Sequence, residues 1–189
     1  MEEEFKGVIP QMKKFFRFTG GELATIDIEA ISNGVFCHYN AYLNKEYKEM
    51  AEKYPNLYFW ESHLTLNHKL EEVKSVKELD VLKCENIYEE GKYIHTITHN
   101  FETNETTEEK KVDEWYNSRQ FNPLEEVGLT LEEILDIYEK SELKTTGDKI
   151  TLRSPFVSKA LPVYYIIGQL DSPRFITIDA IKGEIGLIK

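Results

Sequence analysis

The sequence contains no long apolar segment. No stretch of this 189-residue chain approaches the ~20 consecutive apolar residues that a membrane-spanning helix needs. The chain begins Met1-Glu2-Glu3-Glu4, whereas a secretion signal begins with basic residues followed by an apolar run. We therefore expect no membrane insertion and a cytoplasmic location, or an extracellular one if a signal peptide has been removed.

Basic residues are too few for a nucleic-acid-binding surface. The chain has 23 lysines and arginines against 34 aspartates and glutamates, a formal net charge of -11. Nucleic acids and anionic membranes are bound by basic surfaces that neutralise phosphates. The composition thus argues against both and permits a basic protein partner. The other explanation of the charge is that it only confers solubility.

Cysteine is also scarce. Cys37 and Cys84 are far apart, and neither belongs to a C-x-x-C pair. Two such thiols do not form a zinc site by themselves. We expect buried free thiols, because a disulfide between them would require an exported protein.

The common catalytic and cofactor-binding motifs are missing. The chain has no Walker loop and no dinucleotide-type glycine fingerprint, and Gly20-Gly21 is better explained as a turn. Ser154, Ser158 and Ser172 lie outside any G-x-S-x-G motif of a hydrolase. The sequence therefore predicts no cofactor and no catalytic residue.

The histidines form two candidate groups. His95 and His99 share one face of a predicted strand, where a spacing of four residues separates them by about 13 Å, too far to share a metal ion. Glu61 and His63 share a face of another strand, near His68 in sequence, and an acid beside a histidine can assist proton transfer. No third partner or nucleophile accompanies either group, so we predict neither a metal site nor catalysis.

Carboxylates and aromatic residues have ordinary structural explanations. Glu125-Glu126 and Glu132-Glu133 fall at predicted helix starts, where the helix dipole favours negative charge. Aromatic side chains are expected mainly in the core, although such residues also form interaction surfaces. The aromatic residues considered are Tyr39, Tyr42, Tyr58, Phe59, Trp60, Tyr93, Trp115 and Tyr116.

The first quarter of the chain reads as a three-stranded antiparallel meander. Alternating patterns predict strands at residues 14–18, 23–31 and 35–43, with Ser32-Asn33-Gly34 as a hairpin turn. Asn44 can then cap a helix that ends at Pro55-Asn56. The apolar face of that helix consists of Tyr47, Met50, Ala51 and Tyr54.

The middle of the chain alternates between strand and turn signals. Strands are predicted at residues 57–66 and 92–102. Ser75 and Glu78 form a capping-box pattern that predicts a helix through about Leu82. Residues 103–111 read as a solvated loop or hairpin tip, and residues 112–121 fit helix and strand equally well.

The last third is the most legible part of the sequence. Asn122-Pro123 predicts a single helical turn, and Thr130 with Glu133 predicts a capped helix. Strands are predicted at residues 149–152, 163–170 and 174–181, after a turn at Gly147-Asp148. The second strand is apolar on both faces, which indicates a central position. Asp179 is interpreted as an acid that stabilises the turn closed by Gly183.

This closing order of one helix and three strands, ending in Phe175-Ile-Thr-Ile-Asp-Ala-Ile-Lys-Gly-Glu-Ile185, resembles a PepSY domain. The helix start at residues 129–133 and the strand at residues 162–166 also fit, whereas the insert at residues 154–161 departs from the pattern. PepSY domains occur in secreted bacterial proteins and in metallopeptidase propeptides. The resemblance implies an inhibitory or binding role and supplies no catalytic residues.

The elements together predict an α+β protein with antiparallel sheets and a few short helices, because strands and helices do not alternate as in a parallel doubly wound sheet. Two regions are expected, an antiparallel α+β region at 1–121 and a PepSY-like region at 122–189. No Gly/Ser linker separates them, which allows a shared core. The sequence shows no convincing repeat of 20–50 residues, although meander-like runs of strands at both ends permit a duplicated unit.

Three functions fit this sequence. The first is a non-enzymatic protein-binding or inhibitory module, in one version neutralising a basic partner. The second is a binder of a small apolar ligand, held in a cavity between sheet and helix. The third is an enzyme that uses His63, His95 and His99. The oligomeric state stays open, because the sequence does not show which strand is an edge.

Overall fold

An antiparallel sheet forms the centre of the protein. The structure, a computed structural model, describes residues 37–112, 120–155, 162–171 and 174–188. Its strands are β1 (Leu57–Leu66), β2 (Val81–Glu90), β3 (Tyr93–Asn100), β4 (Glu105–Val112), β5 (Lys149–Arg153), β6 (Tyr164–Ile167), β7 (Ile176–Asp179) and β8 (Ile185–Ile188). They form one eight-stranded sheet in the order β4-β3-β2-β1-β5-β6-β7-β8. The predicted antiparallel α+β class is confirmed.

Helices cover one face of this sheet, which we call the inner face. They are α1 (Cys37–Lys53), α2 (Pro123–Glu126) and α3 (Leu131–Lys140), with a 3-10 turn at Val76–Glu78. The core between the layers is made of large side chains with exposures of 1% or less, among them Tyr39, Phe59, Tyr88 and Tyr165. Burial of this apolar surface is the main force that holds the helices on the sheet.

The sheet consists of two halves with the same order of elements. α1 is followed by the four strands β1–β4, and α3 is followed by the four strands β5–β8. The first strands of the two halves, β1 and β5, lie side by side in the middle of the sheet. They pair antiparallel from Glu61↔Arg153 to Thr65↔Lys149. Strand pairing therefore runs continuously between the predicted regions.

The prediction of a strand at residues 35–43 is wrong where the structure describes it. α1 begins at Cys37, and its buried residues Tyr39, Leu43, Glu46 and Met50 recur at a helical spacing. The helix predicted from Asn44 exists but begins seven residues earlier, and it ends before Pro55-Asn56 as expected. The strands predicted at residues 14–18 and 23–31 lie outside the described residues, as do Gly20-Gly21 and the turn at residues 32–34.

The helix predicted after Ser75 is also wrong in length. The capping box of Ser75 and Glu78 is present, but it caps only the 3-10 turn. The backbone N–H of Asp80 then donates to Asn67 Oδ1 at 2.7 Å, and β2 begins at Val81. Residues 103–111 are not a loop throughout, because they enter strand β4 at Glu105.

The local signals of the last third are present. Asn122 caps the single turn of α2, and the capping box of Thr130 and Glu133 begins α3. Strands β5, β6 and β7 lie where strands were predicted, and β6 is a central strand. A fourth strand, β8, follows them and was not predicted. Asp179 Oδ1 accepts hydrogen bonds from the backbone N–H groups of Ile181 and Lys182, at 2.7 and 2.9 Å, which confirms its role in the turn.

Candidate functional site

The outer face of the sheet carries an open cleft where the two halves meet. In the cross-strand register His63 lies opposite Glu85 of β2 on one side and Thr151 of β5 on the other. The loop after β6 forms a wall. The cleft measures about 380 Å³ and is lined by His63, Glu85, Ile87, Thr96, Lys149, Thr151, Gln169, Leu170 and Asp171.

Glu61 and His63 form the acid–histidine pair that the sequence suggested. Glu61 Oε1 lies 2.9 Å from His63 Nε2, and Arg153 Nε lies 3.8 Å from Glu61 Oε2. Burial raises the pKa of the Glu61 carboxyl, but the hydrogen bond and the charge of His63, together with the charge of Arg153, lower it below its usual value. The two side chains are therefore held together by a hydrogen bond at the edge of the cleft.

This pair has only a weak partner for catalysis. His63 Nδ1 lies 3.5 Å from Thr151 Oγ1, a distance at the limit of a hydrogen bond. Thr151 is 4% exposed, so its hydroxyl offers a substrate little access. His68 does not join the group, because it lies exposed in the loop after β1 and does not line the cleft.

Lys149 and Asp171 bring opposite charges to the cleft without pairing with each other. Lys149 Nζ donates to Thr65 Oγ1 at 2.7 Å. Asp171 is exposed and has no hydrogen bond or ion pair with any described residue. The other carboxylate of the lining, Glu85, is already paired with Lys83 at 3.3 Å.

His95 is fully buried on the inner face and lies between two carboxylates. Its Nε2 is 2.9 Å from Glu90 Oε2, and its Nδ1 is 3.0 Å from Glu108 Oε1. The ring of Tyr54, at the end of α1, lies on it with the centroids 4.6 Å apart. Hydrogen bonding to His95 lowers the pKa of both carboxyls. The arrangement connects the end of α1 to the β3–β4 hairpin.

His99 is buried on the same face among aromatic rings. Its Nδ1 lies 2.7 Å from Thr106 Oγ1, and its ring centroid is 4.7 Å from those of Tyr42 and Phe101. Burial lowers the pKa of this imidazole. Because His63 is on the outer face, the structure does not bring it together with His95 and His99.

Sequence reasoning missed a buried carboxylate in α1. Glu46 is 7% exposed and accepts hydrogen bonds from Asn86 Nδ2 at 3.0 Å and from the Tyr88 hydroxyl at 2.6 Å, and the Tyr42 hydroxyl also donates to it. Burial raises the pKa of this carboxyl, and the three hydrogen bonds oppose the rise. The sequence offers one signal for this contact: Tyr42 lies four residues before Glu46, a spacing that places both side chains on one face of a helix.

The remaining candidates have structural roles in the described part of the chain. Glu126 and Glu133 accept hydrogen bonds from the backbone N–H groups of Asn122 and Thr130, as expected for acids at helix starts. Cys84 is a free thiol whose burial raises its pKa. Ser154 is half-buried, whereas Ser158, Ser172, Trp115 and Tyr116 lie outside the described residues, as does the side chain of Cys37.

Neither a metal site nor a membrane span emerges in the residues that the structure describes. Among them, no three His, Cys, Asp or Glu side chains come together as metal ligands. No helix in the same ranges is both long enough and apolar enough to cross a membrane.

Comparison with known proteins gives a likeness of fold. No protein-family model matches this chain, and no curated protein matches it either. The fold is similar to a solved structure described as a putative lipoprotein from Clostridium difficile 630, with a TM-score of 0.53 and 10% sequence identity. The similarity covers 78% of this chain and 91% of the other. At that identity the likeness shows the fold alone, and the resemblance to PepSY domains stays a prediction.

Proposed function

We propose that this chain is a non-enzymatic protein-binding module that binds a basic partner. The observation that carries the proposal is the charge of residues 122–142, which hold seven carboxylates and one lysine. This segment thus contributes more than half of the net charge of -11. An inhibitory role, which the resemblance to PepSY domains implies, is one form of such binding.

These carboxylates belong to helices that are fixed on the core. Leu131, Ile134, Leu135 and Tyr138 bury one side of α3 in the core, so its acidic residues face outward. We call the exposed set on α2 and α3 the acidic helical surface; it consists of Glu125, Glu126, Glu133, Asp136 and Glu139. A fixed surface of one sign favours encounter with a partner of the opposite sign and discriminates against acidic ones.

The proposal that the chain is not an enzyme has separate support. His63 lies on the opposite face of the sheet from His95 and His99, so the histidine-dependent enzyme has no common site for the three. The other alternative is a binder of a small apolar ligand held between sheet and helix. The described core leaves little room for such a ligand, because the side chains of Tyr39, Phe59 and Tyr88 fill it with exposures of 1% or less.

Cellular location belongs to the proposal as well. We propose a cytoplasmic location, with an extracellular or surface location as the alternative, which the similarity of fold to a putative lipoprotein supports. Fractionation of the source cells with an antibody to the protein distinguishes the two.

A pull-down with two matched variants tests the binding proposal. The immobilised protein is exposed to lysate at low salt and then washed at high salt, which screens surface charges. We expect a basic protein in stoichiometric amount, released by salt. Glu125→Gln with Asp136→Asn should abolish its retention, because the variant removes two charges of the acidic helical surface. Neither side chain takes part in a helix cap, so α2 and α3 should stay folded.

The control removes the same charge elsewhere, with Glu102→Gln and Glu109→Gln in the β3–β4 hairpin. This variant should retain the partner. If both double variants lost the partner equally, net charge alone would explain the binding, and the acidic helical surface would have no special role. If the unmodified protein retained no partner from the lysate, the proposal would be overturned.

A further inference from the structure

The outer-face cleft has the size and construction of a small-molecule site. Its volume of about 380 Å³ falls within the range of roughly 300–1,000 Å³ that is usual for ligand pockets. Its floor consists of neighbouring residues on paired strands, since His63 faces Glu85 and Thr151 in the register. Paired central strands hold these side chains in place before any ligand arrives, which reduces the entropy cost of binding.

The charges of the lining divide into satisfied and available ones. Glu85 is paired with Lys83, and His63 is paired with Glu61. The ammonium group of Lys149 donates one hydrogen bond to Thr65 and forms no ion pair with a described residue. Asp171 has no polar partner among the described residues. One cation and one anion are thus available to a ligand in the same cleft.

Two apolar side chains, Ile87 and Leu170, belong to the rest of the lining, together with Thr96, Thr151 and Gln169. Ile87 is half-buried in the floor, and Leu170, beside Asp171, is 43% exposed. A ligand with an apolar side chain would cover Leu170 and gain the free energy of apolar burial. A ligand with a single charge would cover the cleft while leaving Lys149 or Asp171 poorly solvated and unpaired, which costs binding free energy.

We propose that this cleft binds a zwitterion with an apolar side chain, such as an aliphatic amino acid or a dipeptide that contains one. Its carboxylate accepts hydrogen bonds from Lys149, its ammonium group donates to Asp171, and its side chain packs on Ile87 and Leu170. This site lies on the outer face, apart from the acidic helical surface, and it does not depend on the proposed protein partner.

Three related ligands test the zwitterion requirement. L-leucine, 4-methylpentanoate and 3-methylbutylamine share one apolar side chain, and the last two lack the amine and the carboxylate respectively. Titration followed by backbone amide NMR should show leucine, or the dipeptide glycyl-leucine, shifting signals of β1, β5 and residues 169–171. Each single-charge analogue should bind at least about tenfold more weakly, the effect of losing one good charged contact.

Two variants assign the charges. Asp171→Asn should make leucine bind no better than 4-methylpentanoate, and Lys149→Met should make it bind no better than 3-methylbutylamine. Lys111→Met and Glu109→Gln, which change the same charges on β4 outside the cleft, should bind leucine as the unmodified protein does. Circular dichroism confirms that each variant is folded.

Several results would overturn this site. They are no shift with leucine or glycyl-leucine, equal binding of all three ligands, tighter binding of a single-charge analogue, or full binding by both cleft variants. The acidic-surface variant Glu125→Gln with Asp136→Asn should keep leucine binding unchanged. The site and the proposed protein partner can therefore fail separately.

Discussion

The side-chain oxygen of Asn40 accepts a hydrogen bond from the backbone N–H of Leu131, 2.8 Å away. Asn40 belongs to α1, and Leu131 is the first residue of α3. The first N–H groups of a helix have no partner within the helix. The helix that opens one half of the molecule thus caps the helix that opens the other.

Removal of this contact should destabilise the protein. In Asn40→Ala the N–H of the fully buried Leu131 loses its acceptor, and the hydroxyl of Tyr165 loses the amide that lies 3.2 Å away. An unsatisfied buried donor costs about 1–3 kcal/mol. Urea unfolding should show a loss of this size, whereas Asn56→Ala, in an exposed turn, should leave the midpoint unchanged. Equal midpoints would argue that the contact contributes nothing.

Two glycines with positive φ separate backbone strain from steric contact. Gly183 has φ +72°, and an added Cβ would lie 2.5 Å from Ile137 Cδ1. Gly91 has φ +58° with nothing within 4 Å of such a Cβ. Alanine in this backbone region costs about 1–2 kcal/mol. In chemical unfolding Gly91→Ala should show that cost alone, and Gly183→Ala that cost plus a small addition, because the terminal methyl group of Ile137 must move. A larger loss for Gly91→Ala would contradict the packing at α3.

The buried carboxyl of Glu46 should make stability fall as the pH rises. Its folded pKa lies above the ordinary value of about 4.3 for an unfolded glutamate. Its contribution is therefore fully present below the unfolded pKa and is lost as pH rises through the folded one. Glu46→Gln cannot ionise and keeps an acceptor, so its unfolding free energy should fall less between pH 4 and pH 8 than that of the unmodified protein. Parallel curves would contradict this role.

Glu46→Leu should behave differently from the glutamine variant. It removes the buried acceptor of the Asn86 amide and the Tyr88 hydroxyl. We expect a loss of about 1–3 kcal/mol or more at every pH, the usual cost of orphaned buried polar groups.

The carboxyls around His95 should have the opposite pH dependence. The folded pKa values of Glu90 and Glu108 are lowered by hydrogen bonding to His95, and also by Lys110 for the first and Lys53 for the second. Their stabilisation is present above the ordinary glutamate pKa and is lost as pH falls through the lowered values. In urea unfolding at pH 2–6, Glu90→Gln with Glu108→Gln should flatten the acid loss. Glu102→Gln should keep the original slope, and an unchanged slope in the double variant would refute the assignment.

The signals that predicted structure correctly are local. The capping boxes of Ser75–Glu78 and Thr130–Glu133 are formed by residues three positions apart, so the sequence alone contains both partners. The same holds for Glu61 and His63, which are two positions apart on one strand. Such contacts do not depend on how the strands are ordered in the sheet.

The failures come from polar residues whose partners are distant in sequence. Glu46 interrupts the apolar periodicity of α1, and Asn86 interrupts that of β2, because the two bind each other in the core. The first part of α1 and the whole of β2 were therefore not predicted from their own patterns. The cleft could not be predicted either, because Lys149 and His63 line the same cleft only as a result of the pairing of β1 with β5.

The pairing of β1 with β5 has a consequence for synthesis on the ribosome. Strand β5 begins about 80 residues after β1 ends, a delay of roughly 4–16 s at the usual elongation rate of 5–20 residues per second. During that time β1 can pair with β2, but no other strand of the described residues before β5 pairs with its second edge, and β1 lacks the lysines that β4 carries. The nascent chain thus passes through a state with an unpaired strand edge, which favours aggregation and binding by chaperones. A protein truncated before β5 would remain in that state.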